Sequence, residues 1–305
     1  MEVKVVEDVN VKVFVMDGDK ELAKATCFIQ NTPEKDGKKI GTIGEFEIND
    51  VSVFKMLIEK CEQVLKNKGF KYVVAPMNGN TWKKYRTLKW TSEEPVFALE
   101  NVDDVKFNEM FLSNGFEELH TYTSTKGILD DAYDGESLKV IEEKLKDENI
   151  VLRKFRKDNY VEDLRKIYNI SVQSFGRNPL YTPISEEDFI GQYVPYIEMV
   201  LEELILIAEK DGQEVGFVFS VPNFNELKTK GKIESVILKT IAVLPEYQRL
   251  SIGNLMLNKI SKIAKTIGFK EWIFAFMYSG NSSQKMAKRN NTKMIREYAL
   301  YGKEI

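Results

Sequence analysis

The sequence predicts an α/β (α+β) chain of two tandem domains, each a mixed, mostly antiparallel sheet flanked by helices. Three observations predict it. The 305 residues are long for one core and enough for two domains of about 150 each. Short β-branched runs joined by Asp-Gly and Gly-Lys turns, the punctuation of antiparallel hairpins, alternate with amphipathic stretches of helical period. The order of elements in the first half then returns in the second.

In the first half, VKVFVM (11–16) and KATCFIQ (24–30) flank a polar DGDKE turn, and KIGTIGEFEI (39–48) follows a KDGK turn; each reads as a strand. Phe54, Leu57, Ile58, Cys61 and Leu65 fall on one helical face, and Lys68-Gly69 supplies a basic last turn with a glycine stop. KYVVAPM (71–77) is a buried strand by length and β-branching. Residues 78–95 read as irregular, VKFNEMFLSNG as a short helix and FEELHTYTS as a strand. YDGESLKVIEEKLKDE (133–148) is a charged amphipathic helix with few large side chains. Residues 131–150 are therefore expected to connect a domain at 1–130 to one at 151–305.

The second half restarts with the strand VLRKFRK (151–157) and the helix YVEDLRKIYNISVQSF (160–175), with Val161, Leu164, Ile167, Tyr168 and Phe175 near one face. Ser185 and Asp188 are patterned as a capping box before an apolar stripe. LILIAEKDGQEVGFVFSV (204–221) is a hairpin turning at Asp211-Gly212. A long strand over 234–244, a loop, and a helix with Ile252, Met256, Ile260, Ile263 and Ile267 on one face follow, stopped by Gly268. EWIFAFM (strand), NSSQKMAKRN (helix) and TKMIREYALYGKEI (strand) close the chain. KGFKYVVAPMNGN (68–80) matches IGFKEWIFAFMYSGN (267–281) in its Gly-Phe-Lys, its strand ending in Ala-x-Met and its Asn before a helix. NGFEELHTY (114–122) aligns without gaps to NNTKMIREY (290–298), and together these blocks predict a tandem duplication.

A net charge of −3 leaves no basic field for nucleic acid, and the lysines are interleaved with acids as on a solvated surface. Cys27 and Cys61 each sit in an apolar run, so buried thiols are expected rather than a disulfide or a zinc site. The single histidine, His120, removes chemistry built on histidine pairs. With no apolar leader and no run of about 18 apolar residues, the expectation is a cytoplasmic protein with no metal, no membrane and no nucleic-acid partner, as a monomer or homodimer.

The strongest chemical signal is PEYQRLSIGNLML (245–257). A strand ends in a short glycine-containing loop that opens a helix, so unpaired main-chain N–H groups converge with a helix N-terminus worth about half a positive charge. That suits a pyrophosphate, yet the pattern Gln248-x-x-Ser251-x-Gly253 is neither the G-x-G-x-x-G of dinucleotide folds nor a P-loop. It resembles the Gln/Arg-x-x-Gly-x-Gly/Ala signature of the GNAT superfamily of acyl-CoA-dependent N-acyltransferases, with Pro245-Glu246-Tyr247 as the usual lead-in. The resemblance covers 151–305 and, more loosely, 10–125. It implies parallel strands before and after the loop's helix, and acetyl-CoA or another acyl-CoA as cosubstrate. The pyrophosphate would lie on the amides of Arg249, Leu250, Ser251, Ile252, Gly253 and Asn254, beside Gln248. The pantetheine arm would run along Ile241, Ala242 and Val243 and touch Asn281. Ser251 departs from the family glycine, which serves a positive φ or close phosphate approach; its hydroxyl would otherwise donate to phosphate itself. The plainer alternative is an ordinary strand-to-helix loop.

Acyl transfer needs a neutral amine, a stabilised oxyanion and a proton for the leaving thiolate. Where the family often has a strand carboxylate this chain has Ile237, and where it has a tyrosine on the following helix this chain has Ala287. Glu234 and Tyr298, with Tyr301 beside it, are the substitutes. Each also has a plainer reading, as a solvated acid beside Lys232 or as a structural tyrosine, and His120 reads as surface or structural. In the family the acceptor enters near the first two helices of the domain, which here means Tyr181, Phe189, Tyr193 and Tyr196, although such a stripe is commonly core. The first half has EFEINDVSVF at the corresponding place, with Glu47 and Asp50 where phosphate would lie, so it is expected not to hold coenzyme A. Its loop from Pro76 to Asn80 either adds to an acceptor pocket or simply turns the chain.

The expected reaction is direct transfer of an acetyl or short acyl group from acyl-CoA to an amine, with the Val243 N–H as an oxyanion donor. No Cys or Ser/His pair suggests an acyl-enzyme. Two readings compete. Ile237 and Ala287 suggest a non-catalytic acyl-CoA binder or regulator. An aminoacyl-tRNA-dependent transferase also pairs two such domains, but the balanced charge disfavours it. The acceptor is left open.

Overall fold

The computed structural model describes residues 1–100, 106–129 and 135–305. The first half runs β1 (Glu2–Glu7), β2 (Val11–Asp17), β3 (Lys20–Phe28), the two-residue strands β4 (Glu34–Lys35) and β5 (Lys38–Lys39), β6 (Gly41–Ile48), α1 (Phe54–Asn67), β7 (Tyr72–Ala75), β8 (Thr87–Thr91), α2 (Lys106–Ser113) and β9 (Glu117–Ile128). After α3 (Gly135–Asp147), the second half runs β10 (Ile150–Lys154), α4 (Tyr160–Phe175), α5 (Glu186–Gly191), β11 (Ile205–Lys210), β12 (Gln213–Pro222), α6 (Asn225–Lys230), β13 (Ser235–Val243), α7 (Ile252–Ile267), β14 (Glu271–Tyr278), α8 (Ser283–Arg289) and β15 (Lys293–Glu304).

Local signals account for most of this. The Ser185 hydroxyl accepts the Asp188 N–H at 3.0 Å and caps α5. Asp211 and Gly212, both at positive φ, turn β11 into β12. Gly268 ends α7 in the left-handed region at φ 109°. Among the elements longer than two residues, β1, whose side chains are almost all exposed, β8, inside the stretch read as irregular, and α6 have no counterpart in the sequence reading. Residues 133 and 134 of the connector helix lie outside the described residues; α3 covers the rest up to Asp147.

One large sheet contains both halves, in the order β1-β2-β3-β6-β7-β15-β9-β14-β13-β12-β11-β10, with β8 also against β15. The sheet is mixed and mostly antiparallel; β6–β7 and β13–β14 are parallel. Each half donates its last strand to the other. β15 pairs with β7, β9 pairs with β14, and the two donated strands pair with each other. Tyr122 and Tyr298, equivalent in the repeat, are register partners where β9 meets β15. The sheet therefore passes without a break through the sequence boundary between residues 1–130 and 151–305.

In the second half, α3, α7 and α8 cover one face of the sheet over Leu255, Met256, Trp272 and Phe274. α4 and α5 cover the other over Leu164, Ile167, Phe217 and Phe219. α1 buries Leu57, Ile58, Cys61 and Leu65 against the first-half strands, and Cys27 and Cys61 are free, buried thiols.

A buried charge cluster anchors α4 to β10. The fully buried Asp163 carboxylate accepts from Arg153 Nη1 at 2.7 Å and Nη2 at 2.9 Å, from Arg156 Nη2 at 2.6 Å and from the Arg156 N–H at 2.8 Å. Burial alone would raise this carboxyl's pKa; the two guanidiniums and the main-chain donor outweigh it and hold it below the usual carboxylate range. A depressed folded-state pKa stabilises above the unfolded value and is lost as pH falls through the folded one. Asp163→Ala is expected to cost about 3 kcal/mol at neutral pH. In urea titrations the gap between wild type and variant should narrow as pH falls below about 4.

Candidate functional site

β13 and β14 pair in parallel only from Ser235↔Glu271 to Leu238↔Phe274. Just past that point both strands are irregular. Lys239 is an extra residue in β13, where the register against β12 slips from Phe219↔Thr240 to Ser220↔Leu238. On β14, Phe276 takes φ 55°, and the register against β9 slips between Phe274 and Met277. The strands diverge, and from Lys239 onward β13 keeps β12 on one edge but has no strand on the other among the described residues. The Leu244 N–H donates to Val215 C=O on the β12 side at 2.9 Å. Because main-chain polar groups alternate edges along a strand, those of Val243 and Ile241 face the gap.

The gap leads to the loop. Pro245–Leu250 forms a 3₁₀ turn, Ser251 follows at φ 60° and ψ 22°, and α7 begins at Ile252. Leu255 N–H to Ser251 C=O, 3.1 Å, closes the first turn, so the amides of Ile252, Gly253 and Asn254 are among those a helix leaves without an internal acceptor. The Gln248 side chain donates to the Val243 carbonyl at 3.2 Å and ties the loop to the strand. A Cβ at Gly253 would sit 3.2 Å from Met286 Cε on α8, and at an ordinary contact distance of 3.7 Å from Ile241 Cδ1.

Ser251 thus holds the positive φ for which a glycine was expected. A left-handed L-residue is strained by roughly 1–2 kcal/mol, and glycine's extra chain entropy offsets about half of that. Ser251→Gly should raise stability by a few tenths to about 1 kcal/mol and leave CoA-thioester affinity equal or tighter, by thermal melts and calorimetry. A loss of affinity would instead make the hydroxyl a ligand.

Parallel strands deliver their C-terminal ends to one side, so the turn after β14 reaches the same end of the sheet as this loop. Asn281, exposed, lies in that turn, its N–H bonded to Tyr278 C=O at 3.0 Å. Ala287 is buried beneath α7 and Ile237 is wholly buried, so neither position offers chemistry.

On the α4–α5 face, Tyr181, Phe189 and Tyr193 belong to one aromatic cluster, and the first half supplies its centre. The Trp82 indole N–H donates to Thr182 C=O at 2.7 Å, and its ring packs edge-on against Tyr181 (6.1 Å) and Phe189 (5.8 Å). Phe189 adjoins Tyr193 at 5.2 Å. Lys239 Nζ, from the β13 bulge, donates to the Tyr193 hydroxyl at 2.8 Å. Tyr196 is 62% exposed and outside this cluster. Sequence reasoning missed Trp82 and Lys239; Trp82 lay in a stretch with no period, and Lys239 becomes distinctive only through the bulge.

The two expected catalytic side chains are not brought to the gap. Glu234 precedes the bulge by five positions at the opposite end of β13, about 16 Å along a strand. Its carboxylate is bonded by Lys270 (2.7 Å) and Lys232 (2.9 Å), which hold its pKa at about 2, too low for a base near neutrality. Tyr298 is 2% exposed. It donates to Glu100 Oε1 at 2.7 Å, and the same oxygen accepts Arg296 Nε at 2.8 Å. Burial, then the Glu100 charge, pushes its hydroxyl well above the usual tyrosine range. Ser124 Oγ lies 3.4 Å from that hydroxyl and accepts the Phe276 N–H at 3.0 Å, so Tyr298 buttresses the β14 bulge. Tyr301 stacks on Phe111 in the first-half core and bonds Asn108. His120 packs edge-on to Tyr278 at 5.4 Å, and burial lowers its pKa.

In the first half the equivalent features are closed. The Asp50 carboxylate accepts the Ser52 N–H at 2.9 Å and hydroxyl at 2.7 Å, so a side-chain anion already sits where that strand passes into helix. Glu47 pairs with Lys24 at 2.8 Å. The space between β6 and β7 is bridged as well: Met77 N–H donates to Ile43 C=O at 2.8 Å, and Glu45 N–H to Asn78 Oδ1 at 2.9 Å. Gly44 permits this approach, since a Cβ there would fall 2.2 Å from Asn78 Oδ1. The segment from Pro76 to Asn78, in the loop that runs to Asn80, thus bridges the two strands.

Among the described residues, no helix is long and apolar enough to cross a membrane, and no group of three or more His, Cys, Asp or Glu could hold a metal. Residues 202–291 match the family described as acetyltransferase (GNAT) domain. Over 94% of its length the chain is 21% identical to a bacterial ceramide synthase of Caulobacter vibrioides, covering 82% of that protein. Among solved structures, a GCN5-related glucosamine N-acetyltransferase region of a fungal multi-domain GH3 β-N-acetylglucosaminidase superposes with a TM-score of 0.59 at 13% identity. That match covers 97% of this chain, which spans only 33% of the fungal one. A tandem GNAT protein from the clavulanic acid biosynthesis pathway superposes with a TM-score of 0.53 at 9% identity, covering 97% of this chain and 82% of that one. At such identities the structural likenesses establish the fold.

Proposed function

We propose, from the GNAT fold and the match of residues 202–291 to an acetyltransferase (GNAT) domain, that the chain transfers an acyl group from acyl-CoA directly to an amine. One observation carries the reading: the β13–β14 gap opens straight onto the left-handed Ser251 and the N-terminus of α7. A thioester arm and a pyrophosphate thereby have adjoining places in one groove. The amides of Ile252, Gly253 and Asn254 would take the pyrophosphate. Ile241 and Val243 would pair with the pantetheine arm as a missing strand would, and Val243 N–H would receive the oxyanion. Asn281 would close the groove from the β14 side. The amine would attack from the α4–α5 face, past Tyr193 and Tyr181, and lose its proton to water, since neither Glu234 nor Tyr298 reaches the gap. On this reading residues 151–305 hold the donor, while 1–130 form a related domain without a pyrophosphate site.

The bacterial ceramide synthase relative favours a second donor class, long acyl chains, because a ceramide is itself an N-acyl amide. Thermal melts with CoA thioesters from acetyl to palmitoyl, followed by thiol-release assays over an amine library, test both. A bound thioester at one hundred times its Kd should add about 2.7 kcal/mol. No stabilisation by any chain length would refute the donor assignment; stabilisation without thiol release would favour a non-catalytic binder.

A further inference from the structure

Two half-buried cations on the face of α4 and α5 have no carboxylate partner among the described residues. Arg86, four residues beyond Trp82, has its guanidinium carbon 4.2 Å from the Phe276 ring centroid, 4.3 Å from Tyr85 and 4.9 Å from Tyr122. It donates one hydrogen bond, from Nη1 to the Tyr85 hydroxyl at 2.9 Å, and its buried Nε has no partner among the described residues. Lys239 Nζ bonds the Tyr193 hydroxyl and lies 4.3 Å and 5.3 Å from the Tyr193 and Phe219 ring centroids. Elsewhere this chain treats such groups differently: Arg153 and Arg296 are both locked to carboxylates. Aromatic faces recover only part of the hydration a cation loses on burial, so both sites remain short of negative charge.

The cations flank the same opening. Phe276, under Arg86, lies just past the last β13–β14 pair, and Lys239 is the first residue beyond it on β13. Val221 packs both with the cluster around Phe219 and with that around Ile237 and Phe276, which places the two on one side of the sheet. Trp82 fixes the Arg86 segment to this face.

We propose that Arg86 and Lys239 bind an anionic group of the acceptor amine, a carboxylate or a phosphate. The first half, closed to the donor, would then read the acceptor: the guanidinium fork grips the anion and the ammonium adds a point charge. This rests on the acyl-transfer reading above.

The test compares matched acceptors, an amino acid against its decarboxylated amine and a phosphorylated amino alcohol against the free amino alcohol, with the CoA thioester that stabilises the protein most. Wild type should favour the anionic member of one pair by roughly 10- to 100-fold in kcat/KM, and the pair identifies the anion. Arg86→Gln and, separately, Lys239→Gln should remove most of that preference through KM, with thioester affinity by calorimetry unchanged, and Arg86→Lys should restore part of it. Circular dichroism checks folding, and Lys239→Gln serves if Arg86→Gln does not fold. Equal use of anionic and neutral members, or a preference that survives in both variants, overturns the proposal. If no thioester binds wild type, the acyl-transfer reading fails by itself. Calorimetry of the anionic acceptors then decides the anion site: binding that Arg86→Gln or Lys239→Gln abolishes upholds it, and no binding overturns it.

Discussion

Residues 150–305 expressed alone should fail to form a stable monomer, although they contain the whole matched domain and the phosphate-type loop. The missing piece is β9, which occupies the edge of β14 in the intact chain. Without it, β14 presents an unpaired edge in the middle of a large sheet. β15 loses more. Its Tyr298, Leu300 and Tyr301 are each at most 2% exposed, packed against first-half residues or the donated strand. Returning three large side chains to water costs on the order of 6 kcal/mol at about 2 kcal/mol each, within the range of a whole domain's stability. The full chain should unfold in one cooperative transition, whereas the fragment should aggregate or pair its free strands with a second copy. Light scattering and far-ultraviolet circular dichroism distinguish these outcomes, and a well-folded monomeric fragment would sink the prediction.

Strand exchange also explains what the sequence could reveal. Period and turn chemistry are local, so α4, the hairpin at Asp211-Gly212 and the Gly268 stop were legible. The gapless match of 114–122 to 290–298 marked β9 and β15 as equivalent. It could not say which half each joins, because a strand shows the same alternation beside either neighbour. The strand-loop-helix unit at 245–257 was legible because its signal is a fixed spacing, and Ser251 meets its glycine-like requirement by taking φ 60°. The acid and base were not, since those roles depend on distance: Glu234 sits at the wrong strand end and Tyr298 is absorbed by Glu100. Residues 78–95 carry no period, yet Trp82 reaches from there to Thr182 and Arg86 to the Phe276 ring.

Asn254→Asp should act in opposite directions on stability and on donor binding. Asn254 is the third residue of α7, and aspartate matches it in shape while adding one negative charge. In the free protein that charge lies within the first turn, where the helix dipole favours it by about 0.3–1 kcal/mol. The apo melting temperature should therefore hold or rise slightly. A pyrophosphate on the neighbouring amides would meet a carboxylate a few ångströms away, and repulsion between such charges in a partly solvated groove is about 1–3 kcal/mol, roughly a 10- to 100-fold loss of affinity. The first half already carries the natural form of this experiment, since Asp50 accepts the Ser52 amide at the corresponding strand-to-helix turn. Calorimetry with a CoA thioester and with a pantetheine thioester lacking the nucleotide separates the causes. The loss should be large for the former and near zero for the latter. Equal losses for both would mean that residue 254 acts through the fold of α7, and unchanged CoA affinity would move the pyrophosphate away from this helix.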